Sequence, residues 1–143
     1  MLYFDTAYIA KCYLNEPGAP QVRQLASSAP GLASSEFARL EFFAVLHRQL
    51  REGKLTQAQI QQIAGFFRQD AANGVWRWLP LTSALLDQAC QHFLSLPGSV
   101  YLRTADALHL TCASHYKFQA IYTNDSHLLA AAQHFNLTGI NVI

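Results

Sequence analysis

The sequence predicts an α/β domain built on a mainly parallel central sheet, and three observations carry that expectation. Short apolar runs that read as strands alternate with longer stretches of helical periodicity along the whole chain. The strand-like runs are largely apolar, as strands are when helices cover both faces of a sheet. Breaker residues fall between the periodic segments: Asn15-Glu16-Pro17-Gly18, Gly53, Asn73-Gly74 and Pro97-Gly98.

The elements follow in order. Residues 2–4 form a first apolar strand, and residues 6–14 a helix that ends at the Pro17-Gly18 break. Residues 20–28 are a second helix, with Pro20 in the first turn, where its missing N–H does no harm. A short strand over 31–34 leads to a long helix over 36–51, stopped by Gly53. Thr56 starts a helix running to about 72, and 75–79 is a strand. Thr82 caps a helix over 82–96. Then come a helix over 104–116, a strand over 120–123, a helix over 126–135 and a last strand over 141–143. No repeat or low-complexity tract interrupts the pattern, and one domain spanning 1–143 is expected.

Bulk properties exclude several classes. The 143 residues suit a domain with a full core, and a chain 51% hydrophobic and only 13% charged is not disordered. No apolar run approaches the length of a membrane span. The N-terminus has neither the basic region nor the small-residue cleavage site of a secretory signal. Cys12, Cys90 and Cys112 are odd in number and widely spaced, which fits buried free thiols in a reducing, cytoplasmic setting. A net charge of +1 gives no global signal for nucleic acid.

The nine acidic residues say more, because several stand in apolar surroundings. Asp5 ends the first strand and Asp125 follows the 120–123 strand; either could cap the next helix. Ligands in such folds bind outside the carboxyl ends of the strands, so both carboxylates belong to one rim of the sheet. Glu41 lies within the 36–51 helix with Phe37, Ala38, Ala44 and Val45 at helical spacing, so its partner must come from elsewhere in the fold. Glu36 has a structural explanation at the start of that helix. Asp106, near a helix start, could serve the dipole or pair with Arg103. Four carboxylates on one rim would repel one another unless a cation joins them. All-oxygen donors without a matching Cys/His set select Mg²⁺ or Mn²⁺ over zinc, and such a centre suits phosphodiester hydrolysis.

At this point the residues resemble a family. A strand ends in Asp5-Thr6, one helix carries Glu41, another carries Arg103-Thr104-Ala105-Asp106-Ala107-Leu108-His109-Leu110, and Thr123-Asn124-Asp125 follows a strand. This order is similar, over essentially the whole chain, to the PIN-domain ribonucleases, specifically the VapC-like toxins of bacterial toxin–antitoxin pairs. The resemblance implies a Rossmann-like three-layer α/β/α fold and an Mg²⁺- or Mn²⁺-dependent endoribonuclease. It implies that Asp5, Glu41, Asp106 and Asp125 form the catalytic metal site, with Asp5 and Asp106 the most direct ligands and Asp125 acting partly through water. Thr6 and Thr123 match its supporting hydroxyls. A homodimer, an antitoxin that occludes the site and an RNA substrate, with transfer RNA as a target class, are implied too. Ala7 departs from the family, which often has Ser or Asn there. A PIN domain can also persist as a non-catalytic RNA- or protein-binding module, but all four acids are present here. An aspartyl-intermediate phosphohydrolase would need a second Asp at position 7.

Other residues have mainly structural readings. Trp76 and Trp78 share one strand face and pack in the core or a dimer in preference to stacking on bases; Phe42, Phe43, Phe66 and Phe67 are core or dimer surface. Arg103 either contacts a phosphate or pairs with Asp106. Lys11 is expected on a solvated helix face, and His109 as a packed or supporting residue. Arg39, Arg48, Arg51 and Lys54 give the long helix a basic end, a solvated face by default that could also form an RNA path.

Overall fold

A computed structural model describes residues 1–143. Its five strands are β1 (Leu2–Phe4), β2 (Leu32–Ser35), β3 (Trp76–Leu79), β4 (Ala120–Tyr122) and β5 (Thr138–Ile140). They form one sheet in the order β3-β2-β1-β4-β5, with every pair parallel. The helices are α1 (Thr6–Tyr13), α2 (Ala19–Ser28), α3 (Phe37–Arg51), α4 (Gln57–Ala72), α5 (Ser83–Ser95), α6 (Thr104–His115) and α7 (Ser126–Ala131), the last continuing as a 3₁₀ turn over Ala132–Phe135.

The side-chain period of two in each strand divides the core into two layers. Tyr3, Ala33, Leu79 and Ile121 face α5, α6 and α7, packing on Leu85, Leu110 and Leu128. Phe4, Leu32 and Trp76 face the opposite way, against Ile9, Val22, Phe42 and Phe67 of α1 to α4. This is the expected three-layer α/β/α arrangement, with β1 buried at its centre. Trp76 is core, and its indole N–H donates to the Tyr13 hydroxyl at 2.8 Å, which itself donates to Asp70 at 2.7 Å. Trp78 stacks on Trp76 with ring centroids 5.8 Å apart. Phe42 and Phe67 are buried, whereas Phe66 is exposed.

Of the three thiols expected to be buried, Cys112 is, but Cys12 is half-buried and Cys90 of α5 is exposed. Two further expectations differ from the fold. The last strand is Thr138–Ile140, not 141–143. Thr138–Ile140 pairs with β4, while the next residues serve α1: the Tyr8 hydroxyl donates to the Asn141 side chain and accepts the Val142 N–H, each at 2.9 Å. Gly139 suits that strand because a Cβ there would lie 3.0 Å from the Leu129 Cα. Gly139→Ala is therefore expected to destabilise the protein by about 1–3 kcal/mol in urea titration, as overpacking does; a midpoint equal to wild type would refute that close fit. Lys11 is the second difference. It is buried, with Nζ 3.3 Å from Glu16, because the chain turns back after α1 and brings Glu16 over it. The expected solvated face is wrong for this residue.

The chain runs from β1 outward to β2 and β3, then returns to lay β4 on the other side of β1. The helices that follow β1 and β4 therefore leave toward opposite faces. A crevice opens between their carboxyl ends, at the topological switch point where ligands of open α/β sheets bind.

Candidate active site

Asp5 and Asp125 stand on the two sides of this crevice. Asp5 caps α1: its Oδ1 accepts the Tyr8 N–H at 2.9 Å, and its Oδ2 accepts the Thr123 hydroxyl at 2.5 Å. The Thr123 oxygen in turn accepts the Asp125 N–H at 2.9 Å, so one hydroxyl ties the two acids together. Asp125 caps α7, accepting the His127 and Leu128 N–H groups. Asp106, in the first turn of α6, accepts the Arg103 backbone N–H at 3.3 Å. The capping role that the sequence offers for Asp5 and Asp125 is present, and Asp106 adds a similar contact at the start of α6.

Glu41 reaches the crevice from α3, and its Oε2 accepts the Thr6 hydroxyl at 2.5 Å and lies 2.7 Å from His109 Nε2. His109 is 2% exposed, and its Nδ1 lies 3.0 Å from the Tyr3 hydroxyl. A carboxylate only accepts, so His109 carries a proton on Nε2, toward Glu41, while Nδ1 faces the Tyr3 hydroxyl. His109 thus orients Glu41 from a helix on the other side of the sheet. The sequence placed it as a supporting residue without naming what it supports; Tyr3, a plain strand residue by pattern, was missed.

Arg103 bridges two acids. Its Nε and Nη2 donate to Asp106 at 2.8 and 3.1 Å, and Nη2 reaches Asp125 at 2.5 Å. The pairing with Asp106 was one of the two sequence readings; the reach to Asp125 is new. All four acids, with Thr6, Arg103 and His109, line one cleft of about 650 Å³.

The charges are unevenly compensated. Burial pushes Asp5 up to about 6, against the opposing pull of Thr123, His109 and Tyr8, and the nearby Asp125 adds to the rise. Burial would also raise Glu41, but the His109 hydrogen bond and charge, Thr6 and Arg103 outweigh it and hold its carboxyl below the usual value. At Asp125 the burial effect is likewise overcome, by the His127 N–H, Arg103 and the Leu128 N–H. The Arg103 guanidinium, bonded to Asp106 and Asp125, is held even more firmly protonated than usual.

A hard divalent cation fits this donor set on chemical grounds. The oxygens are carboxylates, and Asp5 is a buried acid with no cation bonded to it. No three acidic, histidine or cysteine side chains converge on one point as they stand, and the Arg103 guanidinium fills the space between Asp106 and Asp125. Its side chain is half exposed, so it can turn outward and yield that position to an ion.

A parallel sheet with carboxylates gathered at its switch point, each fastened by a backbone N–H or a hydroxyl, defines an α/β domain with an acidic cleft. The PIN-domain family profile matches residues 2–133, and the chain belongs to that family. The fold is similar to that of VapC20 of Mycobacterium tuberculosis, described as a toxin cleaving the sarcin–ricin loop, with 19% identity, a TM-score of 0.72, and coverage of 92% of this chain and 95% of that one. It is also similar to a structure of VapBC2 from Rickettsia felis bound to a fragment of its promoter DNA: 15% identity, TM-score 0.68, coverage 99% and 98%. A FitAB complex bound to the IR36 DNA fragment is similar at 17% identity and TM-score 0.64, covering 99% of this chain and 94% of that one. No curated protein matches the chain in sequence. No helix is long and apolar enough to cross a membrane.

Proposed function

We propose that the protein is an endoribonuclease toxin of the VapC type, dependent on Mg²⁺ or Mn²⁺ and held in check by a cognate antitoxin. The observation that carries this reading is the gathering of Asp5, Glu41, Asp106 and Asp125 around one cleft at the switch point of the sheet. The family match and the likeness to a toxin that cleaves RNA and to two toxin–antitoxin complexes support it.

In this reading Asp5 and Asp106 hold the ion most directly, with Glu41 and Asp125 completing the acidic site. A bound ion would supply positive charge near the scissile phosphate and would make an attacking water more acidic. Thr123 fixes Asp5 relative to Asp125, Thr6 and His109 fix Glu41, and Arg103, released from Asp106 and Asp125, is free to meet a phosphate oxygen. Homodimerisation and a cytoplasmic setting, where the three free thiols persist, belong to the same proposal.

Incubation of the purified protein with cellular RNA and Mn²⁺ should give discrete fragments, and EDTA should stop the reaction. Asp106→Asn should slow cleavage by at least about 100-fold, beyond the 10–100-fold typical of residues that only support a metal ligand. Undiminished cutting in EDTA, or by the Asn variant, would remove the metal mechanism.

A further inference from the structure

The cations near the end of α3 could be read in sequence as an RNA path or as solvated surface. The fold separates them. The Arg39 guanidinium carbon lies 6.0 Å from the Trp78 ring centroid, in a hollow beside α4, away from the acids. Lys54 pairs with Glu52 at 2.6 Å. Arg48 and Arg51 alone join the cleft that holds the four acids.

Both are exposed, and neither makes an ion pair or a side-chain hydrogen bond. Placement at the helix end is favoured by the dipole, and Glu52 attracts both from a distance without bonding to either, but neither effect turns them toward the cleft. Glu16, on the same cleft, is taken by Lys11, and Glu52 by Lys54. Glu41, Ala44, Val45, Arg48 and Arg51 recur at helical spacing on one face, and all five line the cleft. Arg48 is seven residues and Arg51 ten residues beyond Glu41, so they stand about 10 and 15 Å along the helix axis from it. These are backbone rises, and helical side chains lean back toward the N-terminus, so the two guanidinium groups flank the acids within the same cleft. There they can serve phosphates that follow the scissile one on the same strand.

We infer that Arg48 and Arg51 form a phosphate-binding track that holds the single-stranded RNA backbone on one side of the scissile bond. The inference rests on the ribonuclease reading and assigns that substrate's direction of exit: along α3, toward its C-terminal end. A regularly charged polymer engages a row of unpaired cations in line with the acidic site, and backbone contacts of this kind are indifferent to base sequence.

The test is a fluorescence anisotropy titration of a labelled single-stranded RNA oligonucleotide, in EDTA so that none is cut, with wild type, the double variant R48Q/R51Q and the control R39Q. Each lost phosphate contact lowers the slope of log K against log salt by about 0.7, so the double variant should lose about 1.4 from the slope and bind about tenfold more weakly at 0.15 M salt. In Mn²⁺ the loss should appear in KM rather than in kcat. R39Q should match wild type. Equal affinities and slopes for wild type and the double variant overturn the track, as does an equal loss in R39Q, which would signal mere net charge. If the double variant keeps its RNA affinity but loses a protein partner, the patch is a protein contact and the inference falls. Wild type that binds RNA through these residues yet cuts none would leave the track standing and remove the ribonuclease reading. Wild type that binds no RNA overturns both.

Discussion

Replacing His109 with leucine is expected to slow RNA cleavage by about 10–100-fold, the usual effect of removing a group that orients a metal-site carboxylate. The expectation follows from the chain Tyr3–His109–Glu41, whose two links are 3.0 and 2.7 Å long. Leucine fills the volume but offers no donor, so Glu41 keeps only the Thr6 hydroxyl. Two further variants separate orientation from packing. In H109Q the amide nitrogen stands where Nε2 was and still donates to Glu41, so most activity should survive. In H109N the nitrogen is too short to reach Glu41, and the variant should resemble H109L. Mn²⁺ affinity by titration calorimetry should fall in the same order. If H109N and H109Q behave alike, or if H109L cuts at the wild-type rate, His109 is only core.

The second large effect is expected at Asp5, in two opposite directions. Asp5→Asn should abolish cleavage and at the same time stabilise the metal-free protein at neutral pH. The buried carboxyl has a folded value of about 6, against about 3.9 for an unfolded aspartate. Between those values the folded chain keeps a proton that the unfolded chain has released. Metal-free stability therefore falls as pH rises through that window and levels off above it. A shift of this size corresponds to at most about 2–3 kcal/mol. Asparagine carries no charge and caps a helix as well as aspartate, so the Tyr8 N–H keeps its acceptor. In EDTA at pH 7.5, urea unfolding should give D5N an advantage of about 1–2 kcal/mol, the part of that penalty left after Thr123 adjusts. The gap should close near pH 4. In excess Mn²⁺ the order should reverse, because only wild type gains from binding the ion. A D5N protein less stable than wild type in EDTA at both pH values would contradict this.

Much of the site is legible without coordinates because its acids violate ordinary patterning. Glu41 stands in a helix with no cation at helical spacing, and Asp5 and Asp125 sit where strands of an α/β sheet deliver their carboxyl ends. The order β3-β2-β1-β4-β5 is not legible in that way, because short apolar strands carry no label of their neighbours. Partnerships between distant elements are hidden for the same reason. His109 meets Glu41 across the sheet and 68 residues, and Arg103 meets Asp125 on one face across 22. The solvated reading of Lys11 fails because helical spacing describes one helix at a time, and Glu16 belongs to the break after it. The last strand is displaced because 141–143 looks as strand-like as 138–140; the pairing of 138–140 with β4, and the hold of the Tyr8 hydroxyl on Asn141 from 133 residues away, come from distant parts of the chain.

Three of the four acids are also the fasteners that start α1, α6 and α7. Their carboxylates are held by backbone that the helices need in any case, so the acidic site is rigid before any substrate arrives. The double duty also shapes how this protein can fail. Alanine at Asp5 or Asp125 removes a charge and a helix start together, and loss of activity would be confounded with loss of fold. Asparagine removes the charge alone. A single-base change from an aspartate codon to an asparagine codon could therefore silence the chemistry while leaving the body of the protein standing. A lineage that no longer needed to cut RNA could follow that short path to a binding protein of unchanged shape.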